Sequence, residues 1–375
     1  MGSPWFILAT FVGSLVLSLV LVPALRDFAR RREIVDNPDS HKRHKAPVPY
    51  LGGVAILAAF ASAIFVAAYV QRYVSISGDA IRVDWTQFIF EPDRTFRELL
   101  LVLVLALAFG VIGLIDDLRG LSPWLRLGAE AILTVCLIWF GVHVTTGLPV
   151  AVDYVITFVW VIGIMNAFNL LDNIDGLAAG IGVVASLSFF IIASLNGQEF
   201  SALLTVGLAG CLLGFLRSNF NPATIYMGDA GSLFIGFMMA YLGLKMRTSV
   251  EEIPQLFTPV LVLGIAILDT TIVVVSRLKR GVSAFMGGQD HLSHRFVRLG
   301  FSVRRSVVVM FIGSAGLGLQ AVALSSARAD VGYWILGAAF VFGAATTVTL
   351  TTKRALLTVV RDGKEVVAPH QRAVR

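Results

Sequence analysis

Eleven apolar runs divide this sequence, and each approaches the length that a helix needs to cross a membrane. A helix requires about 20 residues to span ~30 Å of hydrocarbon, and lipid offers the backbone no hydrogen bonds, so such runs are expected to be helical. With 57% hydrophobic and 14% charged residues, the chain cannot be an ordinary soluble domain. The sequence predicts an all-α polytopic integral membrane protein with about eleven transmembrane helices. The runs cover roughly residues 5–25, 51–70, 99–115, 125–143, 151–171, 177–195, 201–216, 231–245, 256–276, 305–325 and 332–351.

Lysine and arginine are unevenly distributed between the segments that separate these runs. Segments after the odd-numbered runs, together with the C-terminal tail, hold 23 of the 30 Lys and Arg residues. Because basic residues in short loops stay in the cytoplasm, we expect the N-terminus outside and the C-terminus inside. Residues 352–375 then form a basic cytoplasmic tail. No basic residue precedes the first run, so we expect it to be retained as a membrane helix.

The net charge of +6 lies on that predicted cytoplasmic face, which suits anionic lipid headgroups and phosphorylated substrates. Nothing in the sequence resembles a nucleic-acid-binding module, so no nucleic-acid partner is expected. Convincing internal repeats are absent, which predicts one membrane-embedded domain over residues 1–375. Both cysteines, Cys136 and Cys211, lie inside apolar runs, where buried structural thiols are expected.

Five polar stretches fall on the predicted cytoplasmic side, although they are far apart in the sequence. Charged groups near hydrocarbon are costly, so their convergence predicts a functional site. A transporter would instead place ionisable residues near the midplane and use paired half-helices. Transport is therefore a distant alternative. The stretches are "DNPDSHKRHKAPVPYLGG", "GVIGLIDDLRGLSPWLRL", "NAFNLLDNIDGLAAG", "RSNFNPATIYMGDAGS" and "RLKRGVSAFMGGQDHLSHRF".

The acidic and amide residues of these stretches have both structural and chemical interpretations. Asp116 and Asp117 could simply face water at a helix end, but adjacent carboxylates repel unless a cation or base is near. Asp229 could be the N-cap of the next helix or a ligand of Mg²⁺, which prefers one or two carboxylate or amide oxygens plus water and phosphate. For the third stretch, capping of the following helix is the structural alternative, although one cap requires only one side chain. Its candidates are Asp172, Asn173 and Asp175.

The histidines of the last stretch could be ordinary loop residues or part of a phosphate-binding site. Two histidines three residues apart could suggest zinc, but no cysteine or third spaced ligand accompanies them. A basic trio beside glycines better fits a phosphate clamp, formed by His291, His294 and Arg295.

Four of these motifs resemble a known family. "GLIDDLRGLSP", "NAFNLLDNIDGLAAG", "NPATIYMGDAGSLFIGF" and "GGQDHLSHRFVRLG", in this order, are similar to the bacterial polyprenyl-phosphate N-acetylhexosamine-1-phosphate transferases of glycosyltransferase family 4. The resemblance runs from about residue 36 to residue 305. This superfamily contains undecaprenyl-phosphate GlcNAc-1-phosphate transferase and phospho-MurNAc-pentapeptide translocase. Eleven helices and the spacing of "HLSHR" favour the first branch and leave the second as the alternative.

The resemblance implies a set of site residues. Asn169 and Asp229 would bind Mg²⁺, with Mn²⁺ as a possible substitute, and the catalytic pair Asp116 and Asp117 would hold or deprotonate the lipid phosphate. The family often has Arg where Tyr50 stands, so His44 or Lys45 could replace that phosphate contact. Asp269 either lines a lipid groove or is a buried, hydrogen-bonded residue. The other implied residues are Asp172, Asp175 and Tyr226 for the nucleotide, and Arg126, His291, His294 and Arg295 for phosphate and sugar.

The reaction that the resemblance implies joins a UDP-N-acetylhexosamine to polyprenyl phosphate, with undecaprenyl or decaprenyl as the lipid. The products are polyprenyl-pyrophosphoryl sugar and UMP, in the first membrane step of a cell-envelope glycan pathway. The site would face the cytoplasm in the bacterial inner membrane, and a homodimer is left open. Phosphoryl transfer needs mainly positioning and charge neutralisation. Since a phosphate monoester is largely dianionic at neutral pH, we expect an aspartate to position it rather than to act as an obligatory base; a covalent aspartyl-phosphate remains the alternative.

Overall fold

The computed structural model describes residues 4–36, 47–77, 80–83, 94–246, 252–283, 288–351, 358–361 and 364–367. His44 and Lys45, and most of the basic tail 352–375, lie outside the described residues. The helices are α1 Pro4–Arg31, α2 Gly52–Tyr73, α3 Arg94–Arg119, α4 Pro123–Trp139, α5 Val150–Leu171, α6 Leu177–Leu195, α7 Glu199–Asn219, α8 Gly228–Lys245, α9 Thr258–Val262, α10 Gly264–Lys279, α11 Leu292–Arg298, α12 Val303–Leu324 and α13 Ala329–Thr351, with a 3-10 helix at Ile253–Phe257 before α9.

Short strands form three two-stranded antiparallel hairpins in the described residues. Strands β1 (Val35–Asp36) and β2 (Val48–Pro49) pair Val35 with Pro49. The other hairpins are β3 (Val74–Ser77) with β4 (Ala80–Val83), and β5 (Thr358–Arg361) with β6 (Lys364–Val367). These strands are short, and most of the described residues lie in helices. The structure therefore confirms the predicted all-α class.

A helix overlaps every one of the eleven predicted apolar runs. Among the described residues, eight helices are long and apolar enough to cross a membrane, or up to nine if one bent pair is a single span. The eight are α1, α2, α3, α5, α6, α7, α12 and α13. The remaining two runs coincide with α4 and α8, which have 17 and 18 residues. The protein is a multi-pass membrane protein.

The run predicted as one helix over 256–276 is broken. The segment Ile253–Val262 and helix α10 meet at 75°. Leu263 separates them, with its backbone N–H bonded to the carbonyl of Pro259 at 3.1 Å. A Cβ on Gly264 would lie 2.8 Å from Leu317 on α12, so glycine permits the close packing that follows the bend. Periodicity in an apolar run could not reveal this break, because both halves are apolar.

Helix α8 lies in the interior of the bundle. It packs against α2, α3, α5 and α6, and its residues from Ala230 to Gly243 are buried. Glycines on the neighbouring helices allow the approach: a Cβ on Gly53 would clash with the backbone of Gly231, and one on Gly113 would clash with the backbone of Asp229. The first turn of α8 is thus held against α2 and α3 at one end of the bundle.

The outer helices present apolar side chains, as expected where the surrounding solvent is lipid. Helix α4 shows the pattern clearly, since Trp124 and Trp139 at its two ends are 71% and 86% exposed. Tryptophan favours the membrane–water interface. The two residues are separated by ~23 Å at ~1.5 Å per residue, which is shorter than the ~30 Å apolar layer.

Candidate active site

Four helix ends meet at one end of the bundle and carry most of the predicted site residues. They are the C-terminal ends of α3 and α5 and the N-terminal ends of α4 and α8. Between α3 and α4 the chain reverses direction at Gly120, which has φ of +64°. Ser122 then caps α4 by accepting a hydrogen bond from Leu125 N–H at 3.2 Å, and Pro123 begins the helix. These local signals turn α4 back against α3 and bring Arg126 to Asp116.

Arg126 joins two of the predicted carboxylates. Its Nη1 atom donates to Asp116 Oδ2 at 3.0 Å and to Asp229 Oδ2 at 3.1 Å. The other oxygen of Asp116 accepts from the backbone N–H of Leu121 at 2.7 Å. Asp116 and Asp229, which are far apart in the sequence, therefore share one guanidinium nitrogen.

Asp117 contacts the first turn of α8. Its two oxygens accept from the backbone N–H groups of Asp229 at 2.8 Å and Ala230 at 3.1 Å. A Cβ on Gly228, which has φ of +71°, would lie 2.5 Å from Asp117 Oδ2. Asp117 thus caps α8 from a different helix, and the alternative in which Asp229 is the N-cap is wrong. A carboxylate also suits the partial positive charge of a helix N-terminus.

Asn169 and Asn166, one turn apart on α5, contact carboxylates on two different helices. The amide of Asn169 donates to Asp229 Oδ1 at 2.8 Å and to Ser232 Oγ at 3.0 Å. The amide of Asn166 donates to Glu130 Oε2 at 2.7 Å. Helix α5 therefore fixes side chains on both α4 and α8.

The turn after α5 contains the remaining polar residues of the stretch "NAFNLLDNIDGLAAG". Gly176 has φ of +80° and is the N-cap of α6, so Asp172, Asn173 and Asp175 do not cap that helix, and the capping alternative is wrong. The Gly176 N–H donates to Asn219 Oδ1 at 3.0 Å. Burial, with smaller contributions from neighbouring carboxylates, raises the pKa of Asp172 to about 7.

Asp175 and Tyr226 lie in segments that contact each other. Asp175 Oδ2 accepts from Asn221 Nδ2 at 2.9 Å and from the backbone N–H of Ala223 at 3.0 Å, in the loop that leads to Tyr226. The backbone of Tyr226 bonds to Pro49 and Gly52, which joins this loop to the start of α2. Burial raises the pKa of the half-buried Tyr226 phenol to about 12, so the phenol is neutral at physiological pH.

Asp269 on α10 and His291, which directly precedes α11, form a buried pair. Asp269 is 0% exposed; its Oδ2 lies 2.8 Å from His291 Nδ1, and its Oδ1 accepts from the backbone N–H of Leu292 at 2.6 Å. The structure therefore has Asp269 buried and hydrogen-bonded, as in the second of its two predicted alternatives. Ser293 donates to Asn173 Oδ1 at 2.6 Å and so ties α11 to the turn after α5.

Arg295 is 1% exposed and holds the segment that carries the histidines. It donates to the carbonyl of Asp290 at 2.8 Å and to Ser276 Oγ at 2.7 Å. Burial alone would raise the pKa of Asp290, but ion pairs with Arg280 at 2.7 Å and Arg277 at 3.3 Å hold it below its usual value. The His291 and His294 rings lie 6.2 Å apart, centroid to centroid.

Glu130 was missed by the sequence analysis, because it lies inside an apolar run. It is 0% exposed, and its Oε1 lies 3.6 Å from Arg126 Nε. A single acidic residue in a membrane helix is itself a signal of function, and this signal could have found it. Asn219 and Ser293 lie within two of the predicted polar stretches but were assigned no role, because nothing distinguishes them from the other polar residues there.

The chemistry of the donor set fits a magnesium ion. Asp116, Asp229 and Asn169 offer carboxylate and amide oxygens within one hydrogen-bonded group, and Mg²⁺ prefers such oxygens. Among the described residues, no three His, Cys, Asp or Glu side chains have an arrangement that would hold a metal alone.

The structure thus gathers acidic, amide and arginine side chains at one end of a multi-pass helical bundle. The sequence profile of glycosyl transferase family 4 matches residues 99–247, which include most of α3 and all of α4 to α8. The protein of Bacillus subtilis named "probable undecaprenyl-phosphate N-acetylglucosaminyl 1-phosphate transferase" is 27% identical over 347 residues, 90% of each chain.

Two further relatives extend this similarity. The decaprenyl-phosphate N-acetylglucosaminephosphotransferase of Mycobacterium tuberculosis is 29% identical over 358 residues, 87% of this chain and 84% of that protein. The phospho-N-acetylmuramoyl-pentapeptide-transferase of Streptococcus mutans is 30% identical over 259 residues, 62% of this chain and 70% of that protein. This chain belongs to glycosyl transferase family 4.

Proposed function

We propose that this protein transfers N-acetylglucosamine-1-phosphate from UDP-N-acetylglucosamine to a polyprenyl phosphate, and releases UMP. The relatives from B. subtilis and M. tuberculosis carry names that describe this reaction and align with most of the chain. The alternative is a phospho-N-acetylmuramoyl-pentapeptide transferase, which the relative from S. mutans supports. The two reactions share the lipid phosphate and the phosphoryl transfer but differ in the sugar.

One observation carries the proposal: Arg126 bonds Asp116 and Asp229 through one nitrogen, while Asn169 bonds Asp229 from the opposite side. A site that brings carboxylates, an amide and an arginine together at the end of a membrane bundle suits two phosphorylated substrates, one in the lipid and one in water. Arginine provides fixed donors for phosphate oxygens.

We infer the following roles. Asn169 and Asp229 would hold Mg²⁺, which when bound supplies charge neutralisation for the diphosphate. Arg126 would bind the donor phosphates, and Asp116 would position the lipid phosphate. Because both oxygens of Asp117 accept from the backbone of α8, Asp117 would act mainly by holding Asp229 in place. A dianionic lipid phosphate needs no obligatory base.

The nucleotide and sugar would lie beside this group. Asp175 and Tyr226 would contact the nucleobase, since the loop that leads to Tyr226 bonds to Asp175 in the turn after α5. Asp172 belongs to the same turn. His291 and His294 would face the sugar phosphate, with Arg295 ordering their segment through Ser276 and Asp290.

The number of membrane spans and the orientation of the two termini are part of the same proposal. We propose eleven spans, with α4, α8 and the bent segment 253–279 counted as spans, an external N-terminus and a cytoplasmic C-terminus. The single domain over 1–375 would lie in the bacterial inner membrane with its site facing the cytoplasm. The basic excess in segments on that side supports this orientation.

The test is an assay of purified protein with Mg²⁺, polyprenyl phosphate and a panel of UDP-sugars, with UMP release measured. We expect release with UDP-N-acetylglucosamine and loss of release in Asp229→Ala. Release with UDP-N-acetylmuramoyl-pentapeptide alone would favour the alternative. No release with any UDP-sugar, or undiminished release in Asp229→Ala, would overturn the proposal.

A further inference from the structure

Glu130 is a fully buried carboxylate in the middle of a membrane helix. Isolated charges of this kind are costly, and they persist where they are paired and hydrogen-bonded. Glu130 has both kinds of contact: Oε2 accepts from Asn166 at 2.7 Å, and Oε1 lies 3.6 Å from Arg126 Nε. Ile132, Val135 and Trp139 of the same helix are exposed, so Glu130 is on the face of α4 that packs inward.

Glu130 and the two aspartates engage different parts of the Arg126 guanidinium. Glu130 lies beside Nε, whereas Asp116 and Asp229 accept from Nη1. A guanidinium is planar, so restraint at Nε sets the direction of the terminal nitrogens. Glu130 is one turn after Arg126 on the same helix, which favours this contact in every conformation that keeps α4 intact.

The contacts form a closed ring that begins and ends on α5. Asn166 bonds Glu130, Glu130 pairs with Arg126, Arg126 bonds Asp229, and Asp229 accepts from Asn169. Each member is fixed from two sides. If a phosphate drew Nη1 of Arg126 away from Asp116 and Asp229, the contact with Glu130 could remain, because it is made at Nε.

We propose that Glu130 is a positioning residue that aims the Arg126 guanidinium at the diphosphate of the nucleotide-sugar donor. This inference rests on the proposed function. It assigns Glu130 no contact with substrate. Its negative charge keeps the guanidinium paired while the terminal nitrogens bind phosphate, and Asn166 keeps Glu130 in place.

The test uses full-length protein in detergent and three variants. Glu130→Gln keeps the side-chain shape and an oxygen that can accept from Asn166, but it removes the charge beside Arg126. Glu130→Ala removes both. Glu98→Gln is the matched control, since Glu98 on α3 is a glutamate paired with Lys245 at 2.6 Å and accepting from Tyr241 at 2.7 Å, away from the site.

In the steady-state assay, we expect Glu130→Gln to raise KM for the UDP-sugar about tenfold, equivalent to ~1.4 kcal/mol, with KM for polyprenyl phosphate changed less than about twofold. Glu98→Gln should leave both KM values near wild type. A purely structural role for Glu130 would not separate the two substrates in this way. Glu130→Ala should show the same change in KM, with a lower unfolding temperature in addition.

A second measurement does not require turnover. Inorganic pyrophosphate with Mg²⁺ should protect the protein against thermal unfolding, and the concentration for half-maximal protection should rise about tenfold in Glu130→Gln but not in Glu98→Gln. Equal protection in all of these proteins, or no protection of the wild type, would overturn the role of Glu130. A failure of the proposed function can be told apart from a failure of this role, because wild-type protein would then release no UMP with any UDP-sugar.

Discussion

Asn169 donates a hydrogen bond to Oδ1 of Asp229 across 2.8 Å, although the two residues are 60 positions apart in the sequence. The bond joins the last turn of α5 to the first turn of α8. The two residues to which the family resemblance assigns a magnesium ion are therefore direct neighbours, and a change in either should disturb the other.

Substitution of either neighbour should weaken the binding of Mg²⁺. We expect Asn169→Ala and Asp229→Asn to raise the Mg²⁺ concentration for half-maximal rate and to lower UMP release by at least about 100-fold, since even indirect contacts to metal sites are worth 10–100-fold. The measurement is a Mg²⁺ titration of the initial rate. Asp330→Asn, in an exposed pair with Arg328 at the start of α13, is the control. An unchanged Mg²⁺ requirement in both site variants would contradict the assignment.

Asp117 should be a stability residue as well as an activity residue. Asp117→Ala removes the acceptor of two backbone N–H groups at the start of α8, and loss of a helix cap costs about 0.5–2 kcal/mol. We expect a lower unfolding temperature in detergent and a loss of UMP release.

The pH dependence of UMP release distinguishes a capping role of Asp117 from a role as a general base. In Asp117→Asn, a rate that stays low as the pH is raised would support positioning through α8. Recovery of the rate at high pH would instead identify Asp117 as a general base, because a more basic solution would replace its function.

Gly228 should tolerate no side chain. Its φ of +71° already disfavours alanine, and the added Cβ would lie 2.5 Å from Asp117 Oδ2 and 2.9 Å from the carbonyl oxygen of Tyr50. Gly281 is the matched control, because it has φ of +68° and nothing within 4 Å of the added Cβ. We expect Gly281→Ala to cost about 1–2 kcal/mol and Gly228→Ala to cost a further ~1–3 kcal/mol. Equal unfolding temperatures for the two variants would show that the contact with Asp117 is unimportant.

Asp172 should make stability depend on pH in the absence of added metal. Burial raises its pKa from 3.8 to about 7, so the folded protein binds a proton that the unfolded chain has released. Stability is therefore highest below the unfolded pKa, falls as the pH rises between these two values, and stays low above about 7. Asp172→Asn removes the loss of stability that arises when the buried carboxyl ionises. The difference in unfolding temperature between variant and wild type should grow from pH 4 to about pH 7 and then level off; a constant difference would contradict the pKa.

The helices and the meeting of the polar motifs could be predicted, because a bilayer imposes simple rules. Long apolar runs must be helical, and basic loops set their orientation. Those two rules predict that Asp116, Asn169 and Asp229 lie at one membrane face, and the structure joins all three through hydrogen bonds.

Contacts between helices could not be predicted in the same way. The cap that Asp117 makes on α8 depends on the register between two helices, which the local sequence does not encode. The 75° bend before α10 leaves the hydropathy unchanged. Glu130 could be noticed as an acidic residue in an apolar run, but its contacts with Arg126 and Asn166 appear only in the structure.

Helix α8 carries Asp229 at its first turn while its residues from Ala230 to Gly243 are enclosed by other helices. Outer helices such as α4, with its exposed tryptophans, present apolar side chains to the surroundings instead. A thinner or thicker bilayer is accommodated by tilting or by adjustment of lipid-facing elements. A change in bilayer thickness should therefore reach Asp229 through its neighbours, such as α4, whose Arg126 donates to it, and not through α8 itself.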